Sequence, residues 1–377
     1  MVAPTATVYR RRMSVNRRDL LRLSALLLAG PNLALRAAGA SMQAQPLILC
    51  WNENPYGPSP MARLAVSHAV AAGCRYPSDE EMDGLRRALA RKEGVDSAHI
   101  VTGTGSGELL CALGLLAARD GGEIVAAAPT YAELTEYARG RGAQLKLVPV
   151  DGELRHDLPA MQAALSARTR AVYICNPNNP TGTALPAAAI RDFIAALPAG
   201  VTAIVDEAYM DFVTADTVGS VADVVDGGAR VVVLRTFSKI HGMAGLRCGY
   251  AITRPDIAQE LAAARMTSPN MFAVRAARAS LDDHEFLGQC RSRIITSRTR
   301  LLTELRRLNL RYAEPQGNFV FFDTGMPLER FTAAMLERNI LVGRLFPPYQ
   351  SWCRITVGTE PETTAFLQAL RAVTAAA

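Results

Sequence analysis

Four short segments of the sequence combine residue types that could do chemistry. They read GTGSGE (103–108), NPNNPTG (176–182), VDEAY (205–209) and RTFSK (235–239). The first is a glycine-rich turn, and the others supply amides, a carboxylate beside a phenol, and a lysine beside two hydroxyls. That lysine, Lys239, is one of only three in a chain with 41 basic residues, so its place in such a segment is informative.

Each segment has a chemical interpretation and a plainer one. A glycine-rich turn that enters a helix offers free N–H groups to a phosphate, although an ordinary tight turn has the same composition. The X-Pro pairs around Asn179 predict a rigid turn that fixes an amide. Asp206 at the mouth of a buried strand is costly unless it faces a cation, and the alternative is a helix cap. Lys239 precedes a glycine-rich stretch that contains Arg247, which is not the pattern of a solvated helix face.

The elements that must position these segments follow from the hydrophobic pattern. Between residues 94 and 253, short β-rich runs alternate with helical stretches, which is typical of an α/β fold with a mostly parallel sheet covered on both faces. Ligands of such sheets bind at the carboxyl ends of the strands, and each of the four segments lies at a predicted strand end. The predicted strands are 100–102, 124–126, 145–148, 172–174, 203–205, 231–234 and 248–251.

The pattern changes after residue 254 and predicts a smaller α+β region. Helical stretches at 256–266 and 283–308 precede a mixture of short strands and helices. We therefore predict four parts of the chain. They are a leader over 1–40, an N-terminal arm over 41–75, a large domain over 76–254 and a small C-terminal domain over 255–377.

Composition and charge exclude several classes of protein. At ~100–200 residues per domain, 377 residues suffice for two or three globular domains. The seven cysteines are odd in number and lack CxxC spacing, so they predict neither a disulfide framework nor a zinc cluster. The net charge of +6 equals the excess of arginine within residues 1–40, which leaves the rest neutral and gives no indication of nucleic-acid binding.

Residues 1–40 have the layout of an export signal. Arg17 and Arg18 precede a short apolar run, and the A-G-A sequence at 38–40 suits cleavage. The run is too short to span a bilayer, which takes ~20 residues. The segment resembles a twin-arginine signal and predicts a periplasmic protein without stable membrane insertion. The alternative is a basic extension from a misplaced start codon on a cytoplasmic protein.

Together the four strand ends supply the groups that a pyridoxal 5′-phosphate site needs. These are a lysine for a Schiff base, an anion to partner the ring nitrogen, and a turn for the phosphate. The sequence resembles the fold type I, class I/II aminotransferases, and within them the histidinol-phosphate aminotransferases, over about residues 48–375. Besides the four segments, the strings that carry the resemblance are NENPYGPSP (52–60), RYPS (75–78), PTY (129–131), AGLRCGY (244–250), GNFVF (317–321) and RITVGT (354–359).

The resemblance implies a fold, a cofactor and a role for each cofactor-binding residue. The fold is the type I α/β fold with a mostly parallel seven-stranded sheet. Lys239 would form the Schiff base, Asp206 would partner the ring nitrogen, Asn179 and Tyr209 would donate to the ring oxygen, and Tyr131 would stack on the ring. The implied phosphate ligands are Ser106, Gly107, Thr236, Ser238 and Arg247. Tyr76 would reach the cofactor of a neighbouring subunit, so a homodimer is expected.

The implied reaction moves an amino group from an amino donor to a 2-oxo acid acceptor in two half-reactions. Lys239, Asp206 and Tyr209 would be catalytic, and Arg354 would receive the substrate's carboxylate or phosphate. Arg344 is either a second anion-binding arginine or a solvated loop residue. The residues implied in substrate binding are Asn54, Tyr56, Asn318, Arg344 and Arg354.

The donor is left open at this point. Histidinol phosphate and aromatic or other amino acids are the candidates, because the arm before Asn52 is short and contains no tyrosine. An export signal also argues against a role in cytoplasmic histidine synthesis. Two other interpretations compete. One is lyase, decarboxylase or oxidase chemistry at the same site, and the other is an inactive cofactor-binding module.

Overall fold

The computed structural model describes residues 45–225 and 227–375, and a seven-stranded sheet lies at its centre. The predicted leader falls outside the described residues. The sheet has the strand order β2-β8-β7-β6-β5-β3-β4, in which only β8 runs antiparallel to its neighbours. The mostly parallel α/β sheet predicted from the sequence is thus confirmed. The strands are β1 (Leu47–Ile48), β2 (Ile100–Gly103), β3 (Glu123–Ala128), β4 (Gln144–Pro149), β5 (Thr169–Cys175), β6 (Thr202–Asp206), β7 (Arg230–Thr236), β8 (Gly249–Thr253), β9 (Phe319–Asp323), β10 (Ile340–Leu341) and β11 (Trp352–Thr356).

Helices cover both faces of this sheet. Successive strand residues point to opposite faces, so Val172 and Ile174 lie in one apolar cluster whereas Ala171 and Tyr173 lie in another. All four are at most 1% exposed, as expected for a sheet buried on both sides. The helices are α1 (Pro60–Ala69), α2 (Asp79–Glu93), α3 (Ser106–Ala117), α4 (Glu133–Arg139), α5 (Leu158–Ala163), α6 (Ala187–Ala195), α7 (Pro255–Ala264), α8 (Met271–Leu281), α9 (His284–Arg307), α10 (Leu328–Leu336) and α11 (Glu360–Ala375).

Helices α1, α2, α5 and α8 are absent from the sequence prediction, although α2 carries a clear local signal. The Ser78 hydroxyl accepts a hydrogen bond from the Glu81 N–H at 3.2 Å, and the Glu81 carboxylate accepts one from the Ser78 N–H at 2.8 Å. This reciprocal pair is a capping box. Gly94 ends the helix in the left-handed region, at φ 71°. A search for the S-x-x-E pattern would have found the start of this helix.

The two helices that follow the predicted boundary at 254/255 pack with the sheet. Helix α7 contacts α3, and α8 contacts α1 and α2. A separate apolar cluster, here called the second core, is formed by helices α9, α10 and α11 and by the antiparallel pair β9–β11. The arm also contributes to this core, because β1 pairs with β10 and Leu49 is buried there.

The sheet brings the ends of several strands to one edge. Strands β5, β6 and β7 are parallel, and Asp206 lies level with Cys175 and Leu234. Thr236 at the end of β7 and Gly103 at the end of β2 both pair with Gly249. The four segments singled out in the sequence therefore meet at the carboxyl edge of the sheet. Within the described residues, no helix combines the length and the apolar character needed to cross a membrane.

Candidate active site at the carboxyl edge of the sheet

A cleft of about 460 Å³ opens at this edge of the sheet. It collects residues that are separated by up to about 300 positions in the sequence, because strand ends from the sheet meet the arm, strand β11 and the loop that follows β10. Twelve of the sequence-predicted site residues line it. They are Ser106, Gly107, Tyr131, Asn179, Asp206, Tyr209, Thr236, Ser238, Lys239, Arg247, Arg344 and Arg354.

Lys239 lies just after β7 and reaches across the cleft to the arm. Its Nζ donates to the carbonyl oxygen of Asn52 at 3.0 Å and to that of Trp51 at 3.4 Å. Burial, together with the positive charge of Arg354, lowers the pKa of Lys239 to about 8. Near neutral pH a useful fraction of this amine is therefore unprotonated and nucleophilic.

This shift can be measured on the cofactor-free protein. A reagent that modifies only neutral amines should label Lys239 with a midpoint near pH 8, because the buried ammonium loses its proton early. Mass spectrometry of the digest separates the Lys239 peptide from those of Lys92 and Lys146, which report the reagent's own pH dependence. A midpoint near the ordinary lysine value of 10.5 would show that the cleft does not desolvate this amine.

Asp206 is a buried carboxylate at the end of β6 and is 3% exposed. One oxygen accepts a hydrogen bond from the Tyr173 hydroxyl at 3.1 Å, and the other accepts one from the Ala208 N–H at 3.1 Å. Burial raises the pKa of Asp206 to about 6, although both hydrogen bonds and the charge of Lys239 oppose the rise. A cationic group in the cleft would stabilise the ionised form of this buried carboxylate.

A chain of hydrogen bonds joins the second core to the end of β6. Arg354 on β11 donates from Nη1 to Asn179 Oδ1 at 2.6 Å, and Asn179 Nδ2 donates to the Tyr209 hydroxyl at 3.4 Å. Arg354 also donates from Nη2 to the carbonyl of Cys50 at 2.6 Å. Its buried Nε has no hydrogen-bond partner among the described residues, and burial lowers the pKa of its guanidinium. The cleft lining thus contains a cation whose hydrogen-bonding capacity is not fully used.

The glycine-rich turn and the loop after β7 form the other end of the cleft. Helix α3 begins at Ser106, and in the described part of the chain no side chain caps its first N–H groups, so they can bind an anion. Gly105 has φ 81°, and a Cβ there would lie only 2.5 Å from Nη2 of Arg247. The Arg247 Nη1 donates to the Ser238 hydroxyl at 3.4 Å, and the Ser238 N–H donates to Thr236 Oγ1 at 3.1 Å. Glycine is required here so that the guanidinium can approach the helix start.

Tyr131 forms a side wall of the cleft, where it is partly buried. Its hydroxyl donates to the Glu133 carboxylate. Burial raises the pKa of the phenol, and the hydrogen bond to the carboxylate adds to this effect. Glu133 also approaches the turn, because a Cβ on Gly107 would lie 3.1 Å from its Oε1.

Four predicted site residues lie outside the cleft lining. Tyr76 is 96% exposed. Asn54 and Asn318 hold backbone carbonyls instead, since Asn54 Nδ2 donates to Ile240 at 2.7 Å and Asn318 Nδ2 donates to Asn52 at 3.1 Å. Tyr56 packs with the second core beneath the guanidinium of Arg293. Asn54, Tyr56 and Asn318 therefore hold the chain in place around the cleft. The structure does not place these three side chains in the cleft lining.

The sequence analysis missed Asn52, Trp51 and Tyr173 as parts of this site. Asn52 and Trp51 line the cleft, and Tyr173 holds the Asp206 carboxylate from behind. Local patterns predict none of these roles, because each depends on contacts with residues that are far away in the chain. The alternation within β5 does place Tyr173 on one face of the sheet, which is a weak signal for its contact with β6.

The donor set fits pyridoxal 5′-phosphate. The buried Asp206 suits a protonated ring nitrogen, the uncapped start of α3 suits a phosphate, and the deprotonatable Lys239 suits an aldehyde. These three groups all line one cleft. The residues present therefore satisfy the chemical demands of this cofactor.

The comparisons with known proteins agree with this arrangement. The family model described as "Aminotransferase class I and II" matches residues 44–370. A histidinol-phosphate aminotransferase of Moorella thermoacetica is 39% identical over 87% of this chain and 85% of its own length. An aromatic amino acid aminotransferase of Cutibacterium acnes is 34% identical over 95% of this chain and 98% of its own length. The crystal structure of a histidinol-phosphate aminotransferase from Sinorhizobium meliloti, in complex with pyridoxal 5′-phosphate, matches with a TM-score of 0.82 and 29% identity over 97% of this chain and 99% of that one.

The family model covers most of the chain, and the relatives match it over most of their own length. The residues of the cleft meet the needs of the cofactor that is bound in one solved neighbour. The chain therefore belongs to the class I and II aminotransferases, and it is a pyridoxal 5′-phosphate-dependent aminotransferase.

Proposed function

We propose that this aminotransferase takes a donor that combines a planar ring with an anionic group, with histidinol phosphate as the first candidate, and a 2-oxo acid as acceptor. The observation that carries the proposal is a pair of guanidinium groups that both lie against one aromatic ring, that of Phe346. Arg354 lies 5.2 Å from the Phe346 ring centroid, and Arg344 lies 4.5 Å from it.

The charges of this pair favour an anionic substrate. Among the described residues, no carboxylate lies within ion-pairing distance of Arg354, which is buried at 8% exposure. Arg344 is exposed, and its Nη1 donates to the carbonyl of Leu345 at 3.4 Å. A doubly charged phosphate can use both guanidinium groups, because planar forks bind such oxygens well.

The chain's own residues supply the remaining chemistry. Bound pyridoxal 5′-phosphate supplies an aldehyde for amines and a ring that accepts electrons. Asp206 would hold the ring nitrogen's proton by its negative charge, and Tyr209 with Asn179 would provide polar contacts to the ring oxygen. The amine of Lys239 would carry the proton that leaves the donor's carbon. Arg354 orients the anionic end, which fixes the bond to be broken.

An aromatic amino acid is the second candidate donor. Trp51 lines the cleft and is 67% exposed, so together with Phe346 it offers aromatic surface to a substrate ring. The Cutibacterium acnes relative is an aromatic amino acid aminotransferase, which supports this candidate. The predicted export signal also favours it, because histidinol phosphate belongs to synthesis inside the cell.

A donor panel on the protein beginning at Ser41 tests the proposal. We expect histidinol phosphate to bleach the visible absorption of the bound cofactor in a single half-reaction. Replacing Arg344 by alanine should lower kcat/KM for histidinol phosphate by about 10–100-fold, because a hydrogen bond to a charged group contributes ~1.5–3 kcal/mol. The same change should have a much smaller effect on phenylalanine, whose carboxylate needs only Arg354.

Arg330→Ala is the matched control, since Arg330 is an exposed arginine of α10 that does not line the cleft. If histidinol phosphate fails to react while phenylalanine or tyrosine does, the second candidate replaces the first. If no amino donor bleaches the cofactor, both candidates are excluded.

We further propose that two copies of the chain associate as a homodimer. Exposed apolar side chains in the arm and around α1, together with the almost fully exposed Tyr76, support this proposal. Trp51, Met61, Leu64 and Val70 are 67%, 45%, 56% and 64% exposed. In this arrangement Tyr76 of one subunit reaches the cofactor phosphate of the other.

We also propose that residues 1–40 direct the enzyme to the periplasm through the twin-arginine route. The paired Arg17 and Arg18 and the A-G-A sequence at 38–40 support this. Twin-arginine export carries folded proteins, so the cofactor would be acquired in the cytoplasm. Without export the enzyme would be cytoplasmic.

A further inference from the structure

Asn52 occupies a strained position between the arm and the cleft. It is 1% exposed and has φ 55°, which lies in the left-handed region. Asparagine tolerates this conformation better than most residues do. Its N–H donates to Thr356 Oγ1 at 2.8 Å, so β11 fixes the backbone of the arm at this point.

The side chain of Asn52 reaches the hydroxyl of Tyr209. Asn52 Nδ2 donates to the Tyr209 oxygen at 3.2 Å, and Asn179 Nδ2 donates to the same oxygen at 3.4 Å. The orientation of both amides is set by their oxygens. Asn179 Oδ1 faces the guanidinium of Arg354 at 2.6 Å, and Asn52 Oδ1 lies 3.5 Å from the hydroxyl of Thr356.

Two donors on one phenol determine where its own proton points. A tyrosine hydroxyl has two lone pairs and a single hydrogen. Both lone pairs of Tyr209 are taken by amides, and no acceptor for its hydrogen is present among the described residues. The ring is held in place by an edge contact with Phe319 at 4.9 Å between centroids. The hydrogen is thereby left to point into the cleft that Tyr209 lines.

The backbone of Asn52 acts on the second reactive group of the cleft. Its carbonyl oxygen accepts from Lys239 Nζ at 3.0 Å and from Asn318 Nδ2 at 3.1 Å. A single residue therefore contacts the phenol through its amide and the amine through its carbonyl. These contacts span 157 and 187 positions of sequence.

We propose that Asn52 is a positioning residue that directs the proton of Tyr209 into the cleft and holds the amine of Lys239 beside it. The amide sets the direction of the phenol, and the left-handed backbone aims the carbonyl at the amine. The inference concerns the cofactor half of the site, so it does not depend on which donor is used.

Two variants separate the amide from the backbone. Asn52→Gly removes the amide but retains the left-handed backbone, because glycine adopts positive φ freely. Asn52→Asp keeps the size of the side chain and replaces the amide donor by a carboxylate. The carboxylate accepts a hydrogen bond from the Tyr209 hydroxyl, so the hydroxyl hydrogen turns away from the cleft. The readouts are the pH midpoint of the visible absorption of the loaded enzyme without substrate, and the pH midpoint of Lys239 labelling without cofactor.

The expected shifts differ between the two readouts. With the cofactor bound, a phenol that donates into the cleft would stabilise negative charge on the ring oxygen and would thereby lower the absorption midpoint. In Asn52→Gly the Tyr209 hydroxyl no longer has a fixed direction. We therefore expect its absorption midpoint to rise by about 0.5–1 pH unit and its Lys239 labelling midpoint to stay near pH 8. Asn52→Asp should raise both midpoints, because its charge also favours the ammonium.

The other charges that face Lys239 are unchanged by these variants. They are Arg354 from β11, Arg247 from the loop after β7, Asp206 from β6 and Glu53 from the arm. An absorption midpoint of Asn52→Gly equal to that of the parent would overturn the proposal. A purely structural role would lower thermal stability and cofactor affinity with no shift of the midpoint. If the glycine variant does not retain cofactor, the isosteric aspartate variant decides, and an unshifted midpoint there overturns the proposal equally.

Discussion

Replacement of Lys239 by alanine is expected to lower transamination by more than about 10⁴-fold. Lys239 is the only amine among the described residues that line the cleft, so nothing else there can condense with an aldehyde. Its neighbours Asn52 and Trp51 hold it through backbone carbonyls and cannot replace it as a base. The visible absorption of the covalently held cofactor should be lost together with turnover. Single-turnover conversion of the donor and a visible spectrum measure both effects.

Lys239→Arg is the matched control because it keeps a cation in the same place. A guanidinium stays protonated and does not form a stable bond with an aldehyde, so this variant should lose as much activity as the alanine variant. If the arginine variant keeps most of the activity, the charge at this position matters and the amine chemistry does not. An alanine variant that turns over within an order of magnitude of the parent would refute the assignment of Lys239.

The sheet and most strand ends could be predicted from the sequence because their signals are local. Apolar runs such as 172–174 and 231–234 predict buried strands, and polar residues directly after them fall at the carboxyl edge whatever the tertiary details. Asp206 and Lys239 were located in this way. Their roles rest on the cleft geometry and on family resemblance, and the variants described here are their tests.

Other features could not be predicted because they depend on distant parts of the chain. Asn52 and Asn54 stand two positions apart in one motif, yet only Asn52 lines the cleft. The left-handed φ of Asn52 turns its side chain toward Tyr209, whereas Asn54 holds the carbonyl of Ile240. No spacing rule distinguishes the two. Likewise, the helical pattern after residue 254 does not say which core each helix joins.

The acid and the amine of the cleft perturb each other in a way that bears on catalysis. Burial raises the pKa of Asp206 to about 6 and lowers that of Lys239 to about 8, so burial disfavours the charged form of each group. Their mutual attraction opposes both shifts. The cofactor-free cleft is therefore electrostatically costly, and stability is given up for a site that a cationic ring can later occupy.

This cost leads to the prediction that Asp206→Asn lowers kcat by about 10³-fold and at the same time stabilises the cofactor-free protein. The amide keeps the shape of the side chain but cannot hold the ring nitrogen's proton by charge, which is an electrostatic loss of the kind that costs about 10²–10³ in rate. Steady-state turnover and denaturant unfolding without cofactor measure the two effects. A variant that is merely damaged would lose activity and stability together.

The sign of the stability effect follows from the raised pKa of Asp206. Its folded-state pKa of about 6 lies above the ordinary aspartate value of 3.8, so the folded protein binds more protons between these pH values, and stability falls as pH rises through that window. Above pH 6 the parent bears the full cost, and Asp206→Asn should be more stable by on the order of 2–3 kcal/mol, because the raised pKa already includes the attraction to Lys239. Below about pH 4 the difference should vanish.

Tyr173→Phe is the control, because it removes the 3.1 Å hydrogen bond to Asp206 and keeps the charge, so its loss of kcat should be much smaller. Equal losses in the two variants, or an asparagine variant less stable than the parent at pH 7, would mean that the hydrogen bonds of Asp206 matter and its charge does not.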